Sequence, residues 1–518
     1  MYDVFASSIR LASTRLGVVA LLALIFPVTA QAQLSQLFWS GYGRDAQHSA
    51  QSTIAGQLLT RIRWQTPVDR RPQYNGDELF IHYGSPLMTQ ANTVIVPVKT
   101  GKTEGFRVDG HRGSDGRLLW RQSTNYRLPP HDWVPSVSPV LSPTGKLWLP
   151  AGGGTVLYRT RLDGGGGRAT RVAFYGSPSY RSHSRTYVNS VFINTPLTAD
   201  AAGNIFFGFQ VTGITPTGVQ SGIARISDSG QGSWVSAATA AGDPGIAKVA
   251  HNAAPALSND GSTLYVAVST GNGFGSAAGY LLALDSQTLA TIATVRLKDP
   301  VSGDDADVHD DATSSPTVGP DGDVYFGVLE NPFPSNNDRG WLLHFDAMLH
   351  PKGAPGAFGW DDTATVVPAS MVPSYGGTSA YLLMTKYNNY AGIGTGDGVN
   401  RIAVIDPNDQ MTDPISGATI MREVLTVTGM TPDPEFVSFY PNAVREWCIN
   451  NAVVDPISKS IIANSEDGKL YRWDMTTNSL SETLVLTPGV GEAYTPTLIG
   501  PDGTVYAINN ATLFAVGQ

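Results

Sequence analysis

The chain has 518 residues, 56 glycines, 34 prolines, only 15% charged residues and a formal net charge of −9. The acidic balance speaks against a nucleic-acid partner, which would call for a basic face. Glycine and proline make up about a sixth of the residues, and no window carries a long 3.6-residue apolar period; together these exclude a helical bundle and predict many short strands and turns.

Arg10 and Arg15 precede the apolar run LGVVALLALIFPV at 16–28 and the Ala-Gln-Ala at 30–32. That order predicts an export signal (1–32) cleaved after Ala32, because the run is shorter than the roughly 20 residues that span a bilayer. Cleavage removes Arg10, Arg15 and Asp3, a net +1, so −9 becomes −10 for the exported chain. The mature protein is expected in the periplasm or outside the cell, with no transmembrane segment. Its single cysteine, Cys448, cannot form an internal disulfide and reads as a small buried hydrophobe rather than a nucleophile.

Residues 33–60, with FWSGYGRDAQHSAQS, are polar and aperiodic and read as an extended lead-in on the surface. Next comes one isolated strand, RIRWQTPV at 61–68, with no turn partner beside it. From residue 84 a repeat begins, and its clearest copy runs from 314 to 346: SPTV, a Pro-Asp-Gly turn, DVYFGVL, a polar loop, then WLLHF ending on Asp346. Eight openings follow this grammar: GSPLM (84–88), VSPVL (137–141), NTPLT (194–198), AAPAL (253–257), SSPTV (314–318), VVPAS (366–370), NNAVV (450–454) and YTPTL (494–498). Third strands close on aspartate, as at Asp109, Asp163, Asp228, Asp285, Asp346, Asp406 and Asp474, and a weaker fourth strand carries Trp120 or Trp234 in some copies.

Four short strands per unit, repeated at this spacing, predict an all-β propeller of seven or eight four-stranded blades forming a single domain over 61–518. The last unit has only three strands, and the isolated strand at 61–68 supplies its fourth, which closes the ring and leaves no open sheet edge. The order SP-x-x, turn, aromatic strand, LxALD and W, with the GRDAQHSAQS lead-in, resembles the quinoprotein-type propeller, whose repeats are named for pyrroloquinoline quinone. The resemblance spans about 39–518. It implies the fold, and by family analogy an oxidoreductase, but non-catalytic scaffold propellers carry the same blade motifs. The quinone enzymes of the family set a vicinal cysteine pair against the cofactor, and one cysteine cannot form it. Pyrroloquinoline quinone is therefore disfavoured.

In a ring of this kind the loops leading into each first strand converge on one face. Four residues before the opening prolines stand His82, His251 and Glu492; further upstream stand His131, Asp132, Asn189 and His309, with Asn450 opening the seventh unit. The acidic run DDADVHDD at 304–311 divides in this register: Asp307, His309 and Asp310 face the mouth, whereas Asp304 and Asp305 read as surface. Long loops between second and third strands add Glu330, Lys386 and Asn388, and Asn252 adjoins His251. The expectation is a polar funnel on the loop-rich face. His82, His131, His251 and His309 stand as candidate acid–base groups, and Asp132, Asn189, Asn252, Asp307, Asp310, Glu330, Lys386, Asn388, Asn450 and Glu492 as ligand contacts. Imidazole with carboxylate also suits a divalent metal, of unknown identity. Two readings stand open: a binding or scaffold propeller taking a small molecule, polymer or protein, and an enzyme (oxidoreductase, or metal-assisted lyase or hydrolase).

Overall fold

The computed structural model describes residues 37–75, 78–80, 84–102, 104–131, 138–271, 277–488 and 494–518. The expected export signal at 1–32 lies outside them, and among the described residues no helix is long and apolar enough to cross a membrane. The chain forms an eight-bladed β-propeller of antiparallel sheets. Blade 5 has three regular strands, Thr317–Val318, Val324–Val328 and Trp341–Phe345; bridges from Pro351 and Gly356 replace its fourth. Blade 8 combines Leu498–Ile499, Val505–Asn509 and Thr512–Gly517 with Arg61–Pro67, as the unpaired N-terminal strand predicts; Arg61 lies opposite Gly517 and Pro67 opposite Thr512.

Within a blade, burial falls from the second strand to the fourth. Thr93–Lys99 is buried at every position, whereas Ser479–Val485 alternates exposed and half-buried. The inner strands are covered on both faces by neighbouring blades and read as continuous apolar runs; the outer one keeps a solvent face and alternates. Trp120, on the outer strand Leu118–Thr124 of blade 1, lies flat over Gly110, where a Cβ would stand 2.2 Å from its ring. Its indole N–H reaches the Leu162 carbonyl at 2.6 Å, and the Arg159 guanidinium covers it.

The lead-in is not on the surface. Leu37–Trp39 pairs with the first strand of blade 1, Leu87–Thr89. The segment then crosses the ring, accepting a backbone hydrogen bond from the first strand of each of five blades. Leu141 donates to Ser40, Leu257 to Ala46, Val318 to Gln47, Val366 to Ser49 and Val454 to Ala50, at 2.7–3.2 Å. Gln57 then donates to Gly503 in blade 8. These five donors belong to blades 2, 4, 5, 6 and 7, so the segment fills the channel. A chain coiled inside a ring must bend repeatedly, and Gly43, Arg44, His48 and Ala50 all have positive φ. A Cβ on Gly43 would meet the His48 Cα at 2.9 Å.

The side chains of the segment are committed inward. Tyr42 reaches Thr363 at 2.7 Å and also donates to Asn450, tying blades 6 and 7. His48 Nδ1 meets the Pro316 carbonyl at 2.6 Å; burial pushes this imidazole down to about 4, so it stays neutral, and the ring N–H donates. Tyr42→Ala should lower unfolding stability by about 3–5 kcal/mol, through the lost ring and the orphaned Thr363 and Asn450 groups. Urea denaturation checks this, and a loss below about 1 kcal/mol would show that the plug does not hold the ring together.

Candidate functional site at the loop-rich mouth

The donors to the lead-in fix a common register. Leu141, Leu257 and Val318 each lie two residues after an opening proline, so Val366 and Val454 put Ala364 and Ala452 in the proline's place. The opening of blade 6 is therefore 362–366 and not the VVPAS around Pro368. The residue before the opening position joins neighbouring blades: Ser85 N–H to Ser138 Oγ, Ala254 N–H to Ser315 Oγ and Ser315 N–H to Thr363 Oγ1, at 2.9–3.0 Å. Four residues before it stand His251, Trp360 and Cys448 in blades 4, 6 and 7. His82, Asp132 and Glu492 lie outside the described residues.

One sector of the mouth spans blades 3 to 5. His251 is buried; its Nδ1 lies 3.2 Å from the Asn194 amide and its Nε2 3.2 Å from the Pro130 carbonyl. Asn194 donates and the carbonyl accepts, which assigns the ring proton to Nε2. Burial pushes His251 down to about 4, aided by Lys248 and against Asp310. Lys248 is ion-paired with Asp310. His131 is exposed, against the Pro129 carbonyl at 2.7 Å, and acts electrostatically on His251. His309 stands edge-on to Trp360 in blade 6. Each of these three histidines is seated against a neighbouring group: His251 against Asn194 and Pro130, His131 against Pro129 and His309 against Trp360.

The second sector, across blades 5 to 8, is the more highly charged. Lys386 ends the second strand of blade 6, Tyr381–Lys386, and is fully buried; its Nζ lies 2.6 Å from Asp361 Oδ2. The Tyr494 and Phe358 rings cover the ammonium at 4.8 and 5.4 Å. Burial alone would push Lys386 down, but Asp361, Cys448 and Asp362 together hold it above the ordinary lysine value. Asp362 accepts the Lys386 backbone N–H at 2.8 Å and the Thr385 hydroxyl at 3.0 Å, and burial pushes it up to about 7. Asp338 is half-buried with no partner on Oδ1, and burial beside Glu330 and Asp361 pushes it up to about 8. Its carbonyl accepts the Trp360 indole N–H at 2.6 Å, which fixes that ring at the rim.

Several expected ligand contacts make structural hydrogen bonds. Glu330 is fully buried and its carboxylate takes the N–H groups of Asn336, Asp338 and Gly340 at 2.7–3.3 Å, so it folds its own loop. Asp307 accepts from Ala277 at 3.0 Å, bonding the loop before blade 5 to blade 4. Asn388 ties to the Trp447 backbone, Asn450 to the Thr313 carbonyl and Tyr42, and Asn252 to the Ala312 carbonyl. Asn189 belongs to no approach loop: it stands exposed in the helix Ser177–Ser190, bonded to Arg127. Asp305 pairs with Arg296 and Lys298 and Asp304 is exposed, so the acidic run divides where its register placed the break. Cys448 is buried, with Sγ 3.1 Å from Glu466 Oε2; Glu446 joins them within 4.8 Å, a donor set open to a divalent ion but flanked by Arg445, 3.3 Å from Glu466.

No family model and no curated protein matches the chain. Solved structures do. A europium-containing methanol dehydrogenase superposes with a TM-score of 0.53 at 10% identity, covering 92% of each chain. The quinohemoprotein alcohol dehydrogenase from Comamonas testosteroni gives 0.53 at 11% identity, covering 93% of this chain and 81% of its own. At these identities the likeness is one of fold: the chain shares the eight-bladed β-propeller of these quinoproteins.

Lys386→Met strands a buried Asp361 carboxylate and should cost about 3–5 kcal/mol, with Asp361→Asn in the same chain restoring part of it. Urea unfolding of the two variants measures both. Raised carboxyl values mean that the folded state holds protons the unfolded chain has released, so stability falls as pH rises from the ordinary carboxyl range toward the folded value. His48 and His251, pushed down to about 4, act in the opposite sense, but only below the ordinary histidine value of about 6.5. Between there and about 8, the value of Asp338, the carboxyls act alone, so the melting temperature should fall and Asp338→Asn should flatten the fall. A wild-type melting temperature that rises over this window contradicts the assignment.

Proposed function

We propose that this chain is an exported quinoprotein-fold binding protein that uses the rim of its loop-rich mouth and runs no quinone chemistry. Export rests on the leader at 1–32, with Arg10, Arg15 and the small residues Ala30 and Ala32. The observation that carries the binding reading is the closure of the mouth beneath its rim. Lys386 and Asn388 are completely buried, and Asp362 and Cys448 nearly so, in a mesh of ion pair, backbone bonds and aromatic rings. What faces outward is the half-buried ring of Asp338, Asp311, Glu446, Trp360 and Tyr494. Aromatic faces beside carboxylates recognise organic cations and hydroxylated molecules.

The residues do not fit pyrroloquinoline quinone, whose planar body carries three carboxylates. Lys386 is already neutralised by Asp361 and covered by rings, and the remaining described mouth groups are mostly carboxylates. Both structural neighbours are dehydrogenases, but that chemistry does not transfer to a mouth filled in this way. An enzymatic reading keeps one support. Asp338, pushed up to about 8, holds a proton at neutral pH and stands as a general acid for a hydrolase or lyase.

Titration of the mature protein with pyrroloquinoline quinone and Ca²⁺ should leave its visible absorption and melting temperature unchanged; a stoichiometric quinone band sinks the proposal. A panel of alkylammonium ions and polyols should contain ligands that raise the melting temperature, with Trp360→Ala weakening them about tenfold.

A further inference from the structure

Between the last strand of blade 6, Thr419–Thr428, and the first of blade 7, Val453–Asp455, the chain makes an excursion over residues 429–446. It leads into a first strand and so stands on the loop-rich side. The excursion is anchored at its root: Asp433 N–H bonds to Ala443 and Arg445 N–H to Thr431, at 3.0 and 2.8 Å. Its outer turn is stapled by Val437 N–H to Asp433, Tyr440 N–H to Phe436 and Ala443 N–H to Tyr440, at 2.8–2.9 Å. Val444 N–H bonds to Gly398 in the neighbouring loop at 3.0 Å, and the Asn400 amide reaches the Val444 carbonyl at 2.8 Å.

This rigid turn carries Phe439 outward with 81% of its surface exposed, and Met430 at its root is 62% exposed. A phenyl ring held out by a stapled backbone is an anchor without a pocket, since the ordering cost of presenting it is met before any partner arrives. Charge selects the partner. Arg445, the one cation of the excursion, is already held by Glu435, Glu466 and Asp433 at 3.0, 3.3 and 3.6 Å and is largely buried. Glu435 keeps 63% of its side chain in solvent, and Asp397 in the adjoining loop and Glu446 at the root add further negative charge.

We propose that the excursion is a docking site for a cationic, amphipathic protein segment, with Phe439 as the apolar anchor and Glu435, Asp397 and Glu446 as the charged flank. The segment supplies an apolar surface for the ring and lysine or arginine side chains for the carboxylates. A second copy of this chain, at net −9, and an anionic bilayer are both repelled by the same flank. The inference shares with the binding reading the choice of face and one rim carboxylate, Glu446; its anchor, Phe439, and its other two carboxylates lie outside the rim.

The test uses the full mature protein with an amphipathic Lys/Leu peptide, its Glu/Leu counterpart and phosphatidylglycerol vesicles, followed by fluorescence anisotropy and co-sedimentation. The Lys/Leu peptide should bind and weaken with salt; Phe439→Ser should weaken it about tenfold and Glu435→Gln by less, with the Phe439→Ser melting temperature unchanged. Asp338→Asn at the rim should leave peptide binding intact, which separates a failed rim from a failed docking site. Equal binding by Phe439→Ser, equal binding of the Glu/Leu peptide, or vesicle binding that depends on Phe439 would each overturn the proposal.

Discussion

The innermost strand of each blade presents a row of backbone N–H and C=O groups to the central channel, and eight blades make that channel too wide for those strands to pair with one another. Each unpaired group there would carry the penalty of a buried, unsatisfied amide unless water or protein reached it. The lead-in answers this with its own backbone, taking one N–H from each of five first strands and pairing directly with a sixth. Its positive-φ residues are the local cost of following a curve that neither a helix nor a strand can follow. Ring closure by Arg61–Pro67 solves the complementary problem at the outside, where an incomplete last blade would leave a long edge. Both solutions come from the same stretch of N-terminal chain, so the circle and its filling are set together.

That filling determines what the mouth can be. With Tyr42 bonded up into Thr363 and Asn450, the channel has a floor one layer below the Asp361–Lys386 pair. Side chains reaching in from blades 5 to 8 then have only a shallow volume to share, and they share it by pairing with one another. Desolvation raises Asp338, Asp362 and Glu330 and opposes the charge on Lys386, which survives because of Asp361. Groups so occupied cannot also grip a large anionic cofactor, and the outer rim inherits whatever recognition the face performs.

The fold was legible because turn chemistry and strand composition repeat, and because one unpaired strand at the start matched one missing strand at the end. The lead-in was not: its burial comes from backbone bonding to distant strands, which polar composition conceals. Blade 6 was misread locally. Pro368 caught the pattern, whereas the true opening has Ala364, and the slip hid Asp361 and Asp362, which stand just before that alanine. Lys386 was visible as the end of a strand before a long loop, but Asp338 and Cys448 had no signature of their own. The histidines were conspicuous as a residue type, but the partners that seat them, such as Asn194 for His251 and Trp360 for His309, lie on other loops and had no signal in the spacing.

Equivalence around the circle also explains how such a fold changes its work. The position four residues before the opening holds His251, Trp360 and Cys448 in blades 4, 6 and 7, and none of the three belongs to a strand. His251 is locked by Asn194 and a carbonyl, Trp360 by the Asp338 carbonyl, and Cys448 by Glu466. The sheet hydrogen bonds lie elsewhere, in the residues that follow, so these positions can change with little effect on the ring. Only the neighbours that satisfy each side chain must change with it. A propeller can therefore lose a cofactor cradle one approach loop at a time while its blades persist, which leaves likeness of fold at about a tenth of identical residues and a mouth whose chemistry must be read from its own side chains.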